Sequence, residues 1–114
     1  MKISKTVEFS SGHYLPGHPH CGTQHGHNYT MTVTVEGPIQ NHMVMDYSLL
    51  EDIIEEALQG IDHCNLNDIM LYPTAEDLAN LLAFKIKSLL PAKVKLAAIW
   101  LWETRDSCAI WEAE

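Results

Sequence analysis

The sequence predicts one α+β domain over residues 1–114: an antiparallel sheet in the order ββααββ, with two helices packed on one face. Three observations carry this. Apolar residues recur at period two near both ends of the chain, they recur at helical spacing in the middle, and Gly or Pro punctuates the junctions. A chain of 114 residues, 46% hydrophobic and 19% charged, has the composition of a single packed globule without repeats or linkers.

Val7, Phe9, Ser11 and His13 share one face of a first strand. After a Gly-, Pro- and His-rich loop, the run HGHNYTMTVTVEG resumes the alternation. His25, His27, Tyr29, Met31, Val33 and Val35 line one face, Asn28, Thr30, Thr32, Thr34 and Glu36 the other, and Gly37-Pro38 ends the strand. Leu49, Leu50, Ile53, Ile54, Ala57 and Leu58 then form the apolar stripe of a helix closed by Gly60, with Glu51, Asp52, Glu55 and Glu56 as its solvated side. A second helix opens at Pro73-Thr74, where the Thr74 hydroxyl can cap, and runs through Leu78, Leu81, Leu82, Ile86 and Leu89 to Pro91. Val94–Glu103 alternates again, with Leu96, Ala98, Trp100 and Trp102 against Ala97, Ile99 and Leu101, so this strand is apolar on both faces. Cys108–Trp111 supplies the last strand. Helices on one face leave apolar side chains on the other, which a homo-oligomer is expected to bury.

Seven Lys and Arg against 15 Asp and Glu give a net charge of -8, which repels a nucleic-acid backbone or an anionic membrane surface. The cations lie only within Lys2–Lys5 and Lys85–Arg105, and all seven histidines fall in the cation-free stretch Thr6–Phe84. No apolar run approaches the roughly 18 residues of a membrane span, and MKISKTVEF alternates where a secretion signal would be continuously apolar. A cytoplasmic protein is expected. Three cysteines without a C-x-x-C element suggest reduced thiols rather than a disulfide framework.

The chemistry concentrates in HYLPGHPHCGTQHGH, His13–His27, which holds five histidines and a cysteine in 15 residues. Histidines at i and i+2 of a strand lie about 6–7 Å apart on one side, which suits two ligands of one metal ion. His25 and His27 are such a pair, and His13 ends the neighbouring strand on a face that can be the same. Three imidazoles with the fourth position open make a catalytic type of zinc site, although Fe²⁺ and Ni²⁺ suit the same ligands. Two other readings compete: histidines that solvate a loop mouth, and a structural site built from Cys21, His25 and His27. Cys21 is either a proton-transfer thiol or an inert loop residue; Cys64 and Cys108 read as packing residues. Asp62-His63 has the composition of an acid–base pair but also of a helix cap. Glu103 follows IWLW, where an unpaired carboxylate is expensive to bury, so it either reaches solvent or meets an N–H-rich ligand.

In these residues the chain resembles the 6-pyruvoyl-tetrahydropterin synthase family, and within it the 6-carboxy-tetrahydropterin synthases of queuosine biosynthesis. The resemblance spans nearly the whole length: FSSGH at Phe9–His13, C-x-x-x-H-G-H at Cys21–His27, MVMDYSLL at Met43–Leu50, IDHCNLND at Ile61–Asp68, PTAEDLA at Pro73–Ala79 and WET at Trp102–Thr104. It implies the tunnelling fold, assembled into trimers and hexamers with active sites between subunits. It implies that His13, His25 and His27 bind Zn²⁺, that Cys21 is the general base, and that Asp62 and His63 form a proton relay. Glu103 would hold the amino-pyrimidine edge of a pterin, with Thr74 and Glu76 nearby. The implied reaction is that of a lyase converting 7,8-dihydroneopterin triphosphate to 6-carboxytetrahydropterin, acetaldehyde and triphosphate. The three residues between Cys21 and His25 point to this branch, since a longer spacing is typical of the pyruvoyl enzymes. The cation-free stretch departs from what a triphosphate demands. Phosphate contacts must come from His18, His20, His42, Arg105, Lys2, Lys5, backbone N–H groups or a neighbouring subunit; failing these, a dephosphorylated pterin is the better substrate.

Overall fold

The computed structural model describes residues 1–114. Strand β1 (Lys2–His13) pairs antiparallel with β2 (His25–Glu36) along its full length, from Lys2 opposite Glu36 to His13 opposite His25. Helix α1 (Tyr47–Ala57) follows, then a two-residue strand β3 (Cys64–Asn65), helix α2 (Ala75–Leu89) and the hairpin of β4 (Lys95–Thr104) with β5 (Ser107–Glu112). The sheet order is β3-β1-β2-β4-β5. The expected α+β architecture is present, with one difference. The sheet is mixed, because β3 runs parallel to β1 at Ser11 and Gly12. Two residues are too short to carry an alternation signal, so this strand is invisible in sequence.

Both helices cover the face that carries Phe9, Tyr29, Met31, Val33, Val35, Ile99 and Leu101, and these join Leu50, Ile54, Leu78, Leu82 and Ile86 in one core. Asp46 caps α1, its carboxylate accepting from the Ser48 N–H and hydroxyl and thereby held below the usual carboxylate range. The helix stops at Ala57, three residues before the expected Gly60, which adopts a positive φ in the turn beyond. Leu49, assigned to the apolar stripe, stands 45% exposed. Thr74 caps α2 as expected, its hydroxyl accepting from the Asp77 N–H at 3.1 Å.

Strand β4 corrects the sequence pattern. Thr34 pairs with Ala98 but Val35 with Leu96, so Ala97 is an extra residue in a bulge. The bulge reverses the parity, and Leu96 lies buried on the same face as Ile99 and Leu101 while Ala98, Trp100 and Trp102 face the other way. That other face has no helix over it. Ser4–Thr34 and Thr6–Thr32 hydroxyl pairs line its β1–β2 half. On the β4–β5 half, Trp100 is 41% and Ile110 48% exposed, and Trp102 sits opposite Cys108. Cys108 is exposed there, not a core packing residue, and Cys64 on β3 is only half-buried.

The sheet has two ends of different character. His13 and His25 mark one. At the other, Met1 and Gly37 exchange backbone hydrogen bonds, and Val44 packs beside Gly37. Between them Gln40 and Met43 close a tight hairpin whose central residues, Asn41 and His42, have φ of 52° and 71°. Both therefore sit in the left-handed region, which costs a side-chain-bearing residue about 1–2 kcal/mol. His42→Gly is expected to stabilise the chain by about 1 kcal/mol, read as a higher urea midpoint with unchanged slope at fixed protein concentration.

Candidate metal centre

The full-length pairing of β1 with β2 places His13 directly opposite His25, and the pleat puts His27 on the same face two residues along. The three rings stand edge-on to one another with centroids 4.5, 4.8 and 4.9 Å apart. One ligating atom from each lies within 4.8 Å of the other two. His13 is 1% exposed, although it is a polar residue in a predominantly apolar core.

Hydrogen bonding fixes two tautomers. His13 Nδ1 lies 2.8 Å from the Pro73 carbonyl and His25 Nδ1 lies 2.7 Å from that of Thr23. A carbonyl cannot donate, so each Nδ1 carries a proton and each Nε2 directs its lone pair inward. These two Nε2 atoms are 2.9 Å apart. Two lone pairs at that distance repel unless positive charge lies between them. The buried Nε2 of His27 has no hydrogen-bond partner at all. Burial lowers the pKa of His27, the Glu103 carboxylate partly opposes this, and His13 and His25 reinforce it. Neutral imidazole is the form that binds metals. The donor set therefore fits a metal ion, with two ligands oriented by backbone carbonyls. Cys21 is not a member of the group.

A second bulge aims the neighbouring carboxylate. Trp102 pairs with Cys108 but Thr104 with Ser107, leaving Glu103 as the extra residue. Its Oε1 reaches to 3.7 Å from His27 Nε2, too far for a hydrogen bond. Glu103 and Glu76 line one cavity of about 260 Å³ together with Ala75, Ser107, Cys108 and Ala109. Cys108, which its sequence neighbours suggested was buried, thus belongs to the site's surroundings, and only the β4–β5 register reveals it. Thr74 lies at the same helix terminus with its hydroxyl committed to the cap. Beneath the cluster, Tyr29 is fully buried and stacked on Phe9 at 4.9 Å, and its hydroxyl is unpartnered. Burial, then the Glu103 charge, hold that hydroxyl un-ionised well above its ordinary range.

Asp62 and His63 lie elsewhere. Asp62 Oδ1 accepts from His63 Nδ1 at 2.8 Å and from the Ser10 N–H at 3.0 Å. His63 holds a left-handed φ of 60°, its N–H donates to the Ser10 carbonyl, and its side chain is 81% exposed. Asp62 and His63 share a cavity with Glu8, Phe9, Ser10 and Asn28, and His63 lines a second with Gly12, Gly26, His27 and Asn28. Ser10 and Asn28 alternate with Ser11 and His27, so they belong to the helix-free face. Within one chain the pair therefore flanks the side of the sheet opposite the imidazole cluster. Cys21 is half-buried in the β1–β2 loop.

The sequence profile of the 6-pyruvoyl tetrahydropterin synthase family matches residues 2–114. The chain belongs to this family. Among its relatives, a Pyrococcus furiosus protein named dihydroneopterin monophosphate aldolase is 40% identical over 72% of this chain and 72% of its own length. An Archaeoglobus fulgidus protein provisionally named 6-carboxy-5,6,7,8-tetrahydropterin synthase is 39% identical over 68% of this chain and 69% of its own. Among solved structures, Caenorhabditis elegans 6-pyruvoyl tetrahydropterin synthase superposes with a TM-score of 0.88 at 24% identity, covering 100% of this chain and 96% of that one. The tunnelling fold expected from the sequence is thereby the fold of the molecule. The chain carries few cations near the imidazole cluster. Lys2 and Lys5 lie toward the end of β1 opposite His13, Lys2 about 36 Å along the strand from it, and Lys5 is paired with Glu51 at 3.7 Å. His42 is at that far end too. Only Arg105, in the β4–β5 turn after Glu103, shares the His13–His25 end of the sheet with the loop histidines His18 and His20.

Proposed function

We propose that the protein is a zinc-dependent lyase acting on the C6 side chain of a reduced pterin. The first reading is the 6-carboxy-tetrahydropterin synthase reaction of queuosine (7-deazapurine) biosynthesis, in which 7,8-dihydroneopterin triphosphate and water give 6-carboxytetrahydropterin, acetaldehyde and triphosphate. The observation that carries it is the convergence of three imidazoles, two of them held by backbone carbonyls with Nε2 turned inward, beside the Glu103 carboxylate at 3.7 Å from His27. Glu103 accepts the N–H groups of the amino-pyrimidine edge, with Glu76 and Thr74 at the rim of the same pocket. Zinc held by His13, His25 and His27 would supply Lewis-acid stabilisation of negative charge on the side-chain oxygens. Cys21 as thiolate takes the substrate proton, and the Asp62–His63 pair relays protons. Because that pair flanks the opposite side of the sheet, it serves the pocket of a second copy. The exposed Trp100 and Ile110 are consistent with a trimer or hexamer that buries the helix-free face.

A second reading is favoured by the charge distribution. With one Arg at the metal end, a single chain matches one phosphate better than three. Side-chain cleavage of a dihydroneopterin monophosphate, the substrate in the name of the Pyrococcus relative, fits that count. Incubating the zinc-loaded protein with the triphosphate and, separately, the monophosphate, then identifying products by mass, separates the readings. Carboxypterin with acetaldehyde supports the first and a shortened pterin from the monophosphate the second. A pyruvoyl product assigns the other branch. Stoichiometric binding without turnover sinks both readings in favour of a pterin-binding subunit.

A further inference from the structure

We infer that His18 is a positioning residue for Cys21, holding the thiol in place through its ring nitrogen; this rests on the reading of Cys21 as the proton acceptor. Leu15-Pro16-Gly17-His18 forms a type II turn, with His18 N–H donating to the Leu15 carbonyl at 3.0 Å and Gly17 at φ 77°. The turn delivers the His18 ring beneath the next one. His18 Nδ1 accepts from the His20 N–H at 3.1 Å and from the Cys21 N–H at 2.9 Å. The Cys21 carbonyl in turn accepts from the Leu15 N–H at 2.7 Å. Both backbone polar groups of Cys21 are thus tied, one of them to a side chain. Beyond it the chain leaves past His18 so closely that a Cβ on Gly22 would stand 2.7 Å from the His18 carbonyl oxygen.

An Nδ1 that accepts two N–H bonds carries no proton, so His18 takes the tautomer opposite to His13 and His25 and stands outside their cluster. What it contributes is an acceptor at the δ position, reaching backbone N–H groups two and three residues on. Asparagine presents Oδ1 at that same position and makes the same local bonds. Alanine does not. His18→Asn therefore keeps the loop, whereas His18→Ala leaves the Cys21 N–H unpartnered and the thiol free to wander. A misplacement near 1 Å lowers turnover by as much as about 10²-fold, while the histidine cluster and Glu103 remain to bind substrate.

The test measures kcat, KM, zinc content and the iodoacetamide alkylation rate of Cys21, resolved from Cys64 and Cys108 by peptide mass, in wild type, His18→Ala and His18→Asn. For His18→Ala, kcat is expected to fall by about 10–100-fold. Its Cys21 alkylation should be at least about threefold faster, since release of the loop exposes the thiol. His18→Asn should restore both. Unchanged Cys64 and Cys108 rates and full zinc content establish that the fold and the metal centre are intact, which matters because Thr23, two residues beyond Cys21, orients His25. Wild-type kcat and alkylation in His18→Ala overturn the inference, as does a His18→Asn variant as impaired as His18→Ala. If alkylation responds and is rescued while kcat stays constant, the contact stands and the reading of Cys21 as proton acceptor falls.

Discussion

His25→Ala is expected to abolish stoichiometric zinc and turnover together. Losing even an orienting partner of a ligand weakens metal affinity by about 10–100-fold, so deleting the ligand itself should weaken zinc by more than about 100-fold. His25 is the informative member of the cluster because its ring is only half-buried, whereas truncating the fully buried His13 also opens a void in the core. The variant removes one of two lone pairs that face each other at 2.9 Å, so the metal-free protein should lose no stability and can gain some. Elemental analysis and thermal unfolding with and without chelator read the two effects separately. A His25→Ala protein that holds one zinc per chain would place the metal elsewhere and remove the basis of the proposed chemistry.

The histidine cluster is legible in the sequence for a definable reason. Period two and a common strand pairing are enough to bring His13, His25 and His27 to one face, and the structure differs from that expectation only by supplying the register. Features that depend on a broken period were not legible. The bulge at Ala97 moved Leu96 to the core face, and the bulge at Glu103 turned that carboxylate toward His27; each inserts one residue into a pattern that sequence can only continue. Cys108 was misread because its apolar neighbours along the chain alternate between faces, and burial follows the face. His18 belongs to no periodic segment, yet Pro16-Gly17 just before it announces a type II turn and could have marked the loop as built. The side of the sheet on which Asp62-His63 lies depends on how the chain returns from α1 to the edge of β1, and no local pattern encodes that path.

That placement leads to the second large effect. Cys21→Ala is expected to retain zinc and lose turnover by about 10²–10⁴-fold, the range for a positioned proton acceptor. His63→Ala should also keep its metal while losing turnover, because its ring is exposed and contacts Asp62 rather than the cluster. If one chain contributes the cluster and Cys21 while a second contributes Asp62 and His63, the two defects lie in different halves of a shared pocket. Co-refolding equal amounts of the two inactive variants then regenerates an intact pair of halves in about one quarter of the sites. Assays of oligomers that carry both chains, isolated through distinct tags, should recover a corresponding fraction of wild-type activity. If every catalytic group came from a single chain, each site in the mixture would carry one of the two lesions and no activity would return. Mixed oligomers without recovered turnover would therefore confine the reaction to one chain, and would require Asp62-His63, despite its position on the helix-free face, to act only structurally on Ser10 and the edge of β1.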